Sequence, residues 1–138
     1  MDSIFSKLNY KEGKTIYVLN YPETFVKALN TLSSEIEVLK EINPNDRIDF
    51  ILLFTTSKRE LEDFVKSVNP CLNGDTVFWL AYPKGTSKKY KCDFNRDTSW
   101  EMLAPYDMLP VRQISIDDDW SALRFRKKEF IKKLSRKM

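Results

Sequence analysis

Residues 50–68 read Phe50-Ile-Leu-Leu-Phe-Thr-Thr-Ser57-Lys-Arg-Glu60-Leu-Glu-Asp-Phe-Val-Lys-Ser-Val68. The run from Phe50 to Phe54 is continuously apolar with polar ends, which is how a strand covered on both faces of a parallel sheet reads. It is far too short to span a bilayer. Ser57 and Glu60 then stand at capping-box spacing, where the serine hydroxyl takes an N–H that the first helical turn leaves open. Leu61, Phe64, Val65 and Val68 recur at helical spacing and predict the buried stripe of that helix. A covered strand followed at once by a capped amphipathic helix is the building unit of an α/β sheet.

The flanking sequence extends the pattern. Thr15-Ile-Tyr-Val-Leu-Asn20 is rich in strand formers, and Tyr21-Pro22-Glu23 predicts a helix start, because proline's missing N–H costs nothing in a first turn. Phe25, Val26, Leu29 and Leu32 would share its buried face. Ile36 to Ile42 predicts a second strand, ended by Asn43-Pro44-Asn45-Asp46. Thr76-Val-Phe-Trp-Leu-Ala-Tyr82 is another covered strand, stopped by Pro83 and Gly85, so Phe50–Phe54 and Val77–Tyr82 are expected to be adjacent, parallel and central. A third helix, opened near Asn95 to Asp97, would carry Trp100, Leu103 and Ala104. Pro110 precedes the strand Val111–Ile116, and the acidic turn Asp117-Asp118-Asp119 is short enough that the next strand, Ser121–Phe125, must be antiparallel to it. Phe130, Ile131 and Leu134 predict a basic terminal helix over about 127–138. The expected fold is a single α/β domain across residues 1–138: a three-layer sandwich with a mostly parallel sheet and a C-terminal antiparallel hairpin. Strand order is not readable from these patterns.

The 138-residue chain is 42% hydrophobic and 31% charged, an ordinary globular composition without repeats or low-complexity tracts. Cys71 and Cys92 have no paired-spacing partner, so they read as reduced thiols, and with no leader-like or spanning segment the expectation is a cytoplasmic protein. Histidine is absent, which removes Ser-His and Cys-His nucleophile pairs and the usual metal sites. The only glycines are the isolated Gly13, Gly74 and Gly85, so neither a dinucleotide fingerprint nor a phosphate-cradling loop can be written. No cofactor is assigned, no metal is expected, and the residue set weighs against an enzyme. Asp117 to Asp119 would be a solvated turn rather than a metal rim.

Several segments are more specific: Asn20-Tyr-Pro-Glu23, Trp79 with Ala81-Tyr-Pro-Lys84, Thr86-Ser87, Arg96-Asp97, Trp100, Pro110-Val-Arg112, and Ile116-Asp117 with Trp120-Ser-Ala-Leu-Arg-Phe-Arg126. Together they resemble a small bacterial family defined as a domain of unknown function. The resemblance covers roughly residues 8 to 131. It implies a bacterial, cytoplasmic, single-domain protein and transfers no activity.

In an open parallel sheet, ligands bind outside the carboxyl ends of the strands. The loops expected there are 20–23, 55–58 and 82–89. Lys84 follows a covered strand beside Gly85, Thr86 and Ser87, so an ammonium, two hydroxyls and an approachable backbone could surround a small anion. Lys84, Thr86, Ser87, Ser57 and Asn20 are therefore the candidate ligand-binding residues, although Ser57 is equally a helix cap and the lysine loop equally a polar turn. Arg96, Asp97, Trp120, Arg124 and Arg126 form a second group. One arrangement stacks arginine on Trp120 or Trp100 and pairs it with Asp97 or Asp117, locking the hairpin to the third helix. The other is a half-solvated edge strand.

Charge is uneven. Residues 84–96 hold five Lys or Arg against Asp93, and residues 124–138 hold eight against Glu129, leaving the remainder net acidic. Three functional classes stay open: a binding or regulatory module for a small anionic ligand at the carboxyl edge; a methyltransferase-like transferase, which the sheet with its reversed last strand resembles in architecture; and a nucleic-acid or protein-interaction module using the basic tail. The missing glycine-rich first loop counts against the second. Oligomeric state is not legible.

Overall fold

Strands β1 (Thr15–Leu19), β2 (Glu37–Leu39), β3 (Ile48–Phe54), β4 (Leu72–Pro83), β5 (Met108–Ser115) and β6 (Trp120–Lys127) form one sheet in the order β2-β1-β3-β4-β6-β5. The computed structural model describes residues 15–30, 36–43, 45–85, 87–88, 91–92 and 101–130. β1 to β4 run parallel, β6 is antiparallel to β4, and β5 is antiparallel to β6. The two continuous apolar runs are adjacent and central, with Phe50 opposite Val77 and Phe54 opposite Ala81.

Side-chain alternation divides these strands between two cores. Ile51, Leu53, Phe78, Leu80, Tyr82, Leu123 and Phe125 meet Leu61, Val65 and Val68 of helix α2 (Lys58–Val68) on one face. Phe50, Leu52, Phe54, Trp79, Ala81, Trp120 and Ala122 meet Phe25 on the other, with Ala28 and Leu29 packed against them. Burying a Leu or Phe contributes about 1.5–3 kcal/mol, so β3 and β4, buried on both faces, anchor the fold. Their register shifts between Ile48 and Phe50. The Thr76 hydroxyl donates to the Ile48 carbonyl at 2.6 Å there, satisfying a group that the irregular ladder would otherwise strand.

Three expectations change and one open choice closes. The segment after β1 is a 3-10 turn (Glu23–Phe25) and a single helical turn, α1 (Val26–Leu29), closed by the Asn30 N–H on the Val26 carbonyl. Phe25 and Leu29 take its inner side, which leaves Val26 exposed, and Leu32 lies outside the described residues. Pro110 does not precede β5 but sits inside it, at a register shift between Pro110 and Arg112 on an edge strand, where a missing N–H is tolerated. Of the two arrangements open for the last strand, the half-solvated edge does not occur: β6 lies between β4 and β5, and Trp120, Ala122, Leu123 and Phe125 are apolar on both faces. The tail starts with the end of β6 and a 3-10 turn (Lys128–Phe130) rather than a helix at 127, and residues 131–138 lie outside the described residues. For the third helix, residues 101–103 are helical and run into a 3-10 turn (Ala104–Tyr106), with Leu103 buried. Trp100 lies outside the described residues.

Candidate functional site

From β1 the chain steps outward to β2 and then returns to the opposite side of β1 to form β3. The connections after β1 and β3 therefore leave in opposite directions, which opens a crevice at the carboxyl ends of these two strands. Asn20 and Thr55 are the first residues beyond them.

Asn20 has φ 59, in the left-handed region that asparagine tolerates better than most residues. Its side-chain Nδ2 crosses the crevice and donates to the Phe54 carbonyl at 2.8 Å. Thr55 continues the ladder, its N–H donating to the Ala81 carbonyl at 3.0 Å. The Thr55 side chain is fully buried, and its Oγ1 meets no hydrogen-bond partner among the described residues. A hydroxyl buried without a partner costs about 1–3 kcal/mol. Such a group at a switch point is a functional signal, and its clue in the sequence was a polar Thr-Thr pair ending a run of five apolar residues.

Ser57 is the N-cap of α2, with Oγ accepting from Glu60 N–H at 3.1 Å. Glu60 returns Oε1 to the Thr56 N–H at 2.9 Å, one residue further back than in the standard capping box. The cap thus holds the turn between β3 and α2 and fixes Thr55 below it. On the other side of the crevice, Lys40 Nζ lies 5.6 Å from the centre of the half-buried Tyr21 ring, a cation–π contact joining the loops after β1 and β2. Glu41 follows as an exposed carboxylate just past β2. It comes roughly 20 residues after Asn20, the spacing at which nucleotide-binding sheets place the carboxylate that accepts from ribose hydroxyls. Tyr21 and Thr55 fall in the loops 20–23 and 55–58 that the strand-end rule selected without being singled out there, and Glu41 lies outside those loops.

Lys84 does stand at the carboxyl end of β4. Its Nζ donates to Ser115 Oγ at 2.7 Å, and its backbone N–H donates to the Asp119 carbonyl at 2.8 Å. Ser87 N–H closes a turn on the Lys84 carbonyl, and Ser87 Oγ donates to Asp119 Oδ1 at 2.9 Å. These bonds fasten the loop to the β5–β6 turn. Gly85 is exposed, and a side chain there would meet open space. Lys84 and Ser87 are therefore grouped with each other and with the hairpin, Asn20 and Ser57 with the β1–β3 crevice. Thr86, Arg96 and Asp97 lie outside the described residues.

In the second group, Trp120 is buried at the same edge, its ring edge-on to Phe54 with centroids 5.1 Å apart. Phe25 packs on Phe54 from the α1 side at 4.9 Å. Asp117 Oδ1 accepts from the backbone N–H groups of Asp119 and Trp120, so it shapes the hairpin turn. Arg124 and Arg126 alternate with Leu123 and Phe125, half-buried, and Arg124 lies opposite Trp79 on β4 and Arg112 on β5.

Towards the amino edge, burial and a hydrogen bond to Asp46 push the Tyr17 phenol up to about 12, so it stays protonated and offers no base. A cavity of about 260 Å³ near the end of α2 is lined by Ile42, Lys66, Ser67, Pro70 and Cys71. Among the described residues no group of three or more Cys, Asp or Glu could hold a metal, and no helix is long and apolar enough to cross a membrane.

No protein-family model and no curated protein sequence matches the chain. Solved structures do match in shape. An S-adenosylmethionine-dependent methyltransferase from Aquifex aeolicus superposes with a TM-score of 0.58 at 14% identity, covering 90% of this chain and 87% of that one. The N-methyltransferase NodS from Bradyrhizobium japonicum WM9 gives 0.52 at 15% identity, over 83% and 74%. Magnesium protoporphyrin IX methyltransferase from Synechocystis PCC 6803, solved with bound S-adenosylhomocysteine, gives 0.53 at 11% identity, over 82% and 64%. The fold is that of the Rossmann-like methyltransferases. At these identities the likeness concerns architecture.

Proposed function

We propose that this protein binds an S-adenosyl ligand in the β1–β3 crevice and acts as a methyltransferase-like protein. The observation that carries the proposal is the buried Thr55 hydroxyl without a described partner, at the switch point of a sheet shared with S-adenosylmethionine-dependent methyltransferases. The residues fit such a ligand on three counts. Thr55 Oγ1 holds a hydrogen bond that is not already spent and that a ligand reaches by parting the turn that closes over it, Glu41 offers a carboxylate to ribose hydroxyls, and Phe54, Phe25 and Trp120 lie buried beneath the strand ends as an apolar floor. They depart on one count, because Asn20-Tyr21-Pro22-Glu23 replaces a glycine-rich turn and keeps a ligand from lying directly on the backbone. A bound S-adenosylmethionine supplies an electrophilic methyl group. The chain's own part is to hold the ligand and exclude water.

An anion-binding role at Lys84 has less support, since the Ser87 hydroxyl is donated to Asp119 and a carboxylate stands within the loop. Thermal-shift measurements with S-adenosylmethionine, S-adenosylhomocysteine, inorganic phosphate and short nucleic acids test the choice. A ligand at a hundred times its Kd raises stability by about 2.7 kcal/mol, a shift of several degrees for a domain of this size. Stabilisation by the two S-adenosyl compounds but not by phosphate is expected. Stabilisation by phosphate alone, or only by nucleic acid and lost with salt, would overturn the proposal.

A further inference from the structure

The crevice has a second polar feature besides Thr55. Thr55 N–H points to β4, where it meets the Ala81 carbonyl. Alternation along an extended chain turns the preceding carbonyl, that of Phe54, the opposite way, towards β1. β1 ends at Leu19, which is paired with Leu53, so the regular ladder does not extend to this carbonyl. An acceptor in this position needs a donor from elsewhere.

Asn20 provides it. Its backbone, at φ 59, adopts a conformation that glycine would reach with less strain. What asparagine adds is the side-chain Nδ2, 2.8 Å from the Phe54 oxygen. An S-adenosyl ligand entering between β1 and β3 carries one strong donor at its amino-acid end, an ammonium. The Asn20 amide already takes up one side of the Phe54 carbonyl, so the ammonium must either share the oxygen with it or displace it, and on both counts it gains less than at a vacant carbonyl. The nucleoside end bears no such penalty.

We propose that Asn20 is a specificity-determining residue: its side-chain amide occupies the Phe54 carbonyl in place of a ligand's ammonium, so the crevice gains little from the amino-acid portion of an S-adenosyl ligand. This rests on the S-adenosyl assignment above. Removing the amide frees the carbonyl for the ligand, and at the net worth of an ordinary hydrogen bond this corresponds to about a five- to tenfold gain in affinity.

Titration calorimetry with S-adenosylhomocysteine and with 5′-methylthioadenosine, which keeps the nucleoside and sulfur but lacks the amino-acid end, tests the role on the full chain. Asn20→Gly suits the left-handed backbone and should bind S-adenosylhomocysteine about five- to tenfold more tightly than wild type, with methylthioadenosine changed less than about twofold. Asn20→Ala, which removes the amide donor without adding a charge, should move the ratio in the same direction and keeps the test open if the glycine variant folds poorly. An unchanged ratio in a variant that binds methylthioadenosine normally would overturn the role and leave the S-adenosyl assignment standing, as would weaker S-adenosylhomocysteine binding. Binding of neither compound to any variant would overturn both.

Discussion

Trp120 stands edge-on to Phe54, ring centroids 5.1 Å apart and planes at 76°, and this contact ties the C-terminal hairpin to the central strand directly beneath the crevice. Because Trp120 is buried among Phe25, Phe54, Trp79 and Ala122, truncating it leaves a cavity as well as lost apolar contact. Trp120→Ala should lower stability by about 3–5 kcal/mol. Urea melts of the two proteins would show it as a lower midpoint. Coincident melts would contradict the packing described.

Lys84 fastens β4 to the hairpin through Ser115 Oγ and lies at a half-exposed position. Lys84→Ala should therefore cost no more than about 1 kcal/mol. With the ligand in the β1–β3 crevice, affinity for S-adenosylhomocysteine should change by less than about twofold, which calorimetry reads directly. Loss of binding would relocate the ligand to the end of β4.

Tyr17 carries the pH prediction. Its phenol is raised by burial, then by the hydrogen bond to Asp46, from 10.0 to about 12. The unfolded chain gives up this proton first, so the stabilising contribution is complete below pH 10 and is lost as pH rises through about 12. A shift of that size corresponds to about 2–3 kcal/mol across the window. Urea melts between pH 9 and 12 should show a steeper fall for wild type than for Tyr17→Phe. Parallel profiles would mean that the phenol is not held as described.

The elements with two-sided or capped patterns were the legible ones. Phe50–Phe54 and Val77–Tyr82 pack as the central parallel pair because a strand apolar on both sides has no stable place at an edge. Ser57 caps α2 as its spacing implied, and the three aspartates make the antiparallel turn. The order of strands was not legible, since periodicity says which face is buried but not which neighbour buries it. At β6 the alternation of Arg124 and Arg126 left an edge strand and an interior one both open, and the apolar Trp120, Ala122, Leu123 and Phe125 place it inside. The crevice was legible only in outline. Asn20 and Ser57 could be named from the strand-end rule, but the Asn20 bond to Phe54 depends on a left-handed backbone, and the isolation of Thr55 Oγ1 depends on what surrounds it in three dimensions.

Thr55→Val separates stability from binding. Exchanging a buried hydroxyl without a described partner for a methyl group of the same shape removes a polar cost, so the ligand-free protein should melt at the same temperature or slightly higher. Affinity for S-adenosylhomocysteine should fall by about three- to tenfold, the worth of one hydrogen bond. A destabilised variant with unchanged affinity would make Thr55 a structural residue.

The most direct test of the proposed site is a backbone-amide NMR titration of the wild-type protein with S-adenosylhomocysteine. The ligand should shift the amides of Asn20, Tyr21, Glu41, Thr55, Thr56 and Ser57, which line the carboxyl ends of β1, β2 and β3, and leave those around Cys71 at the far edge unmoved. Shifts confined to Lys84, Ser87 and the Asp117–Asp119 turn, or no shifts at saturating ligand, would contradict an S-adenosyl site between β1 and β3.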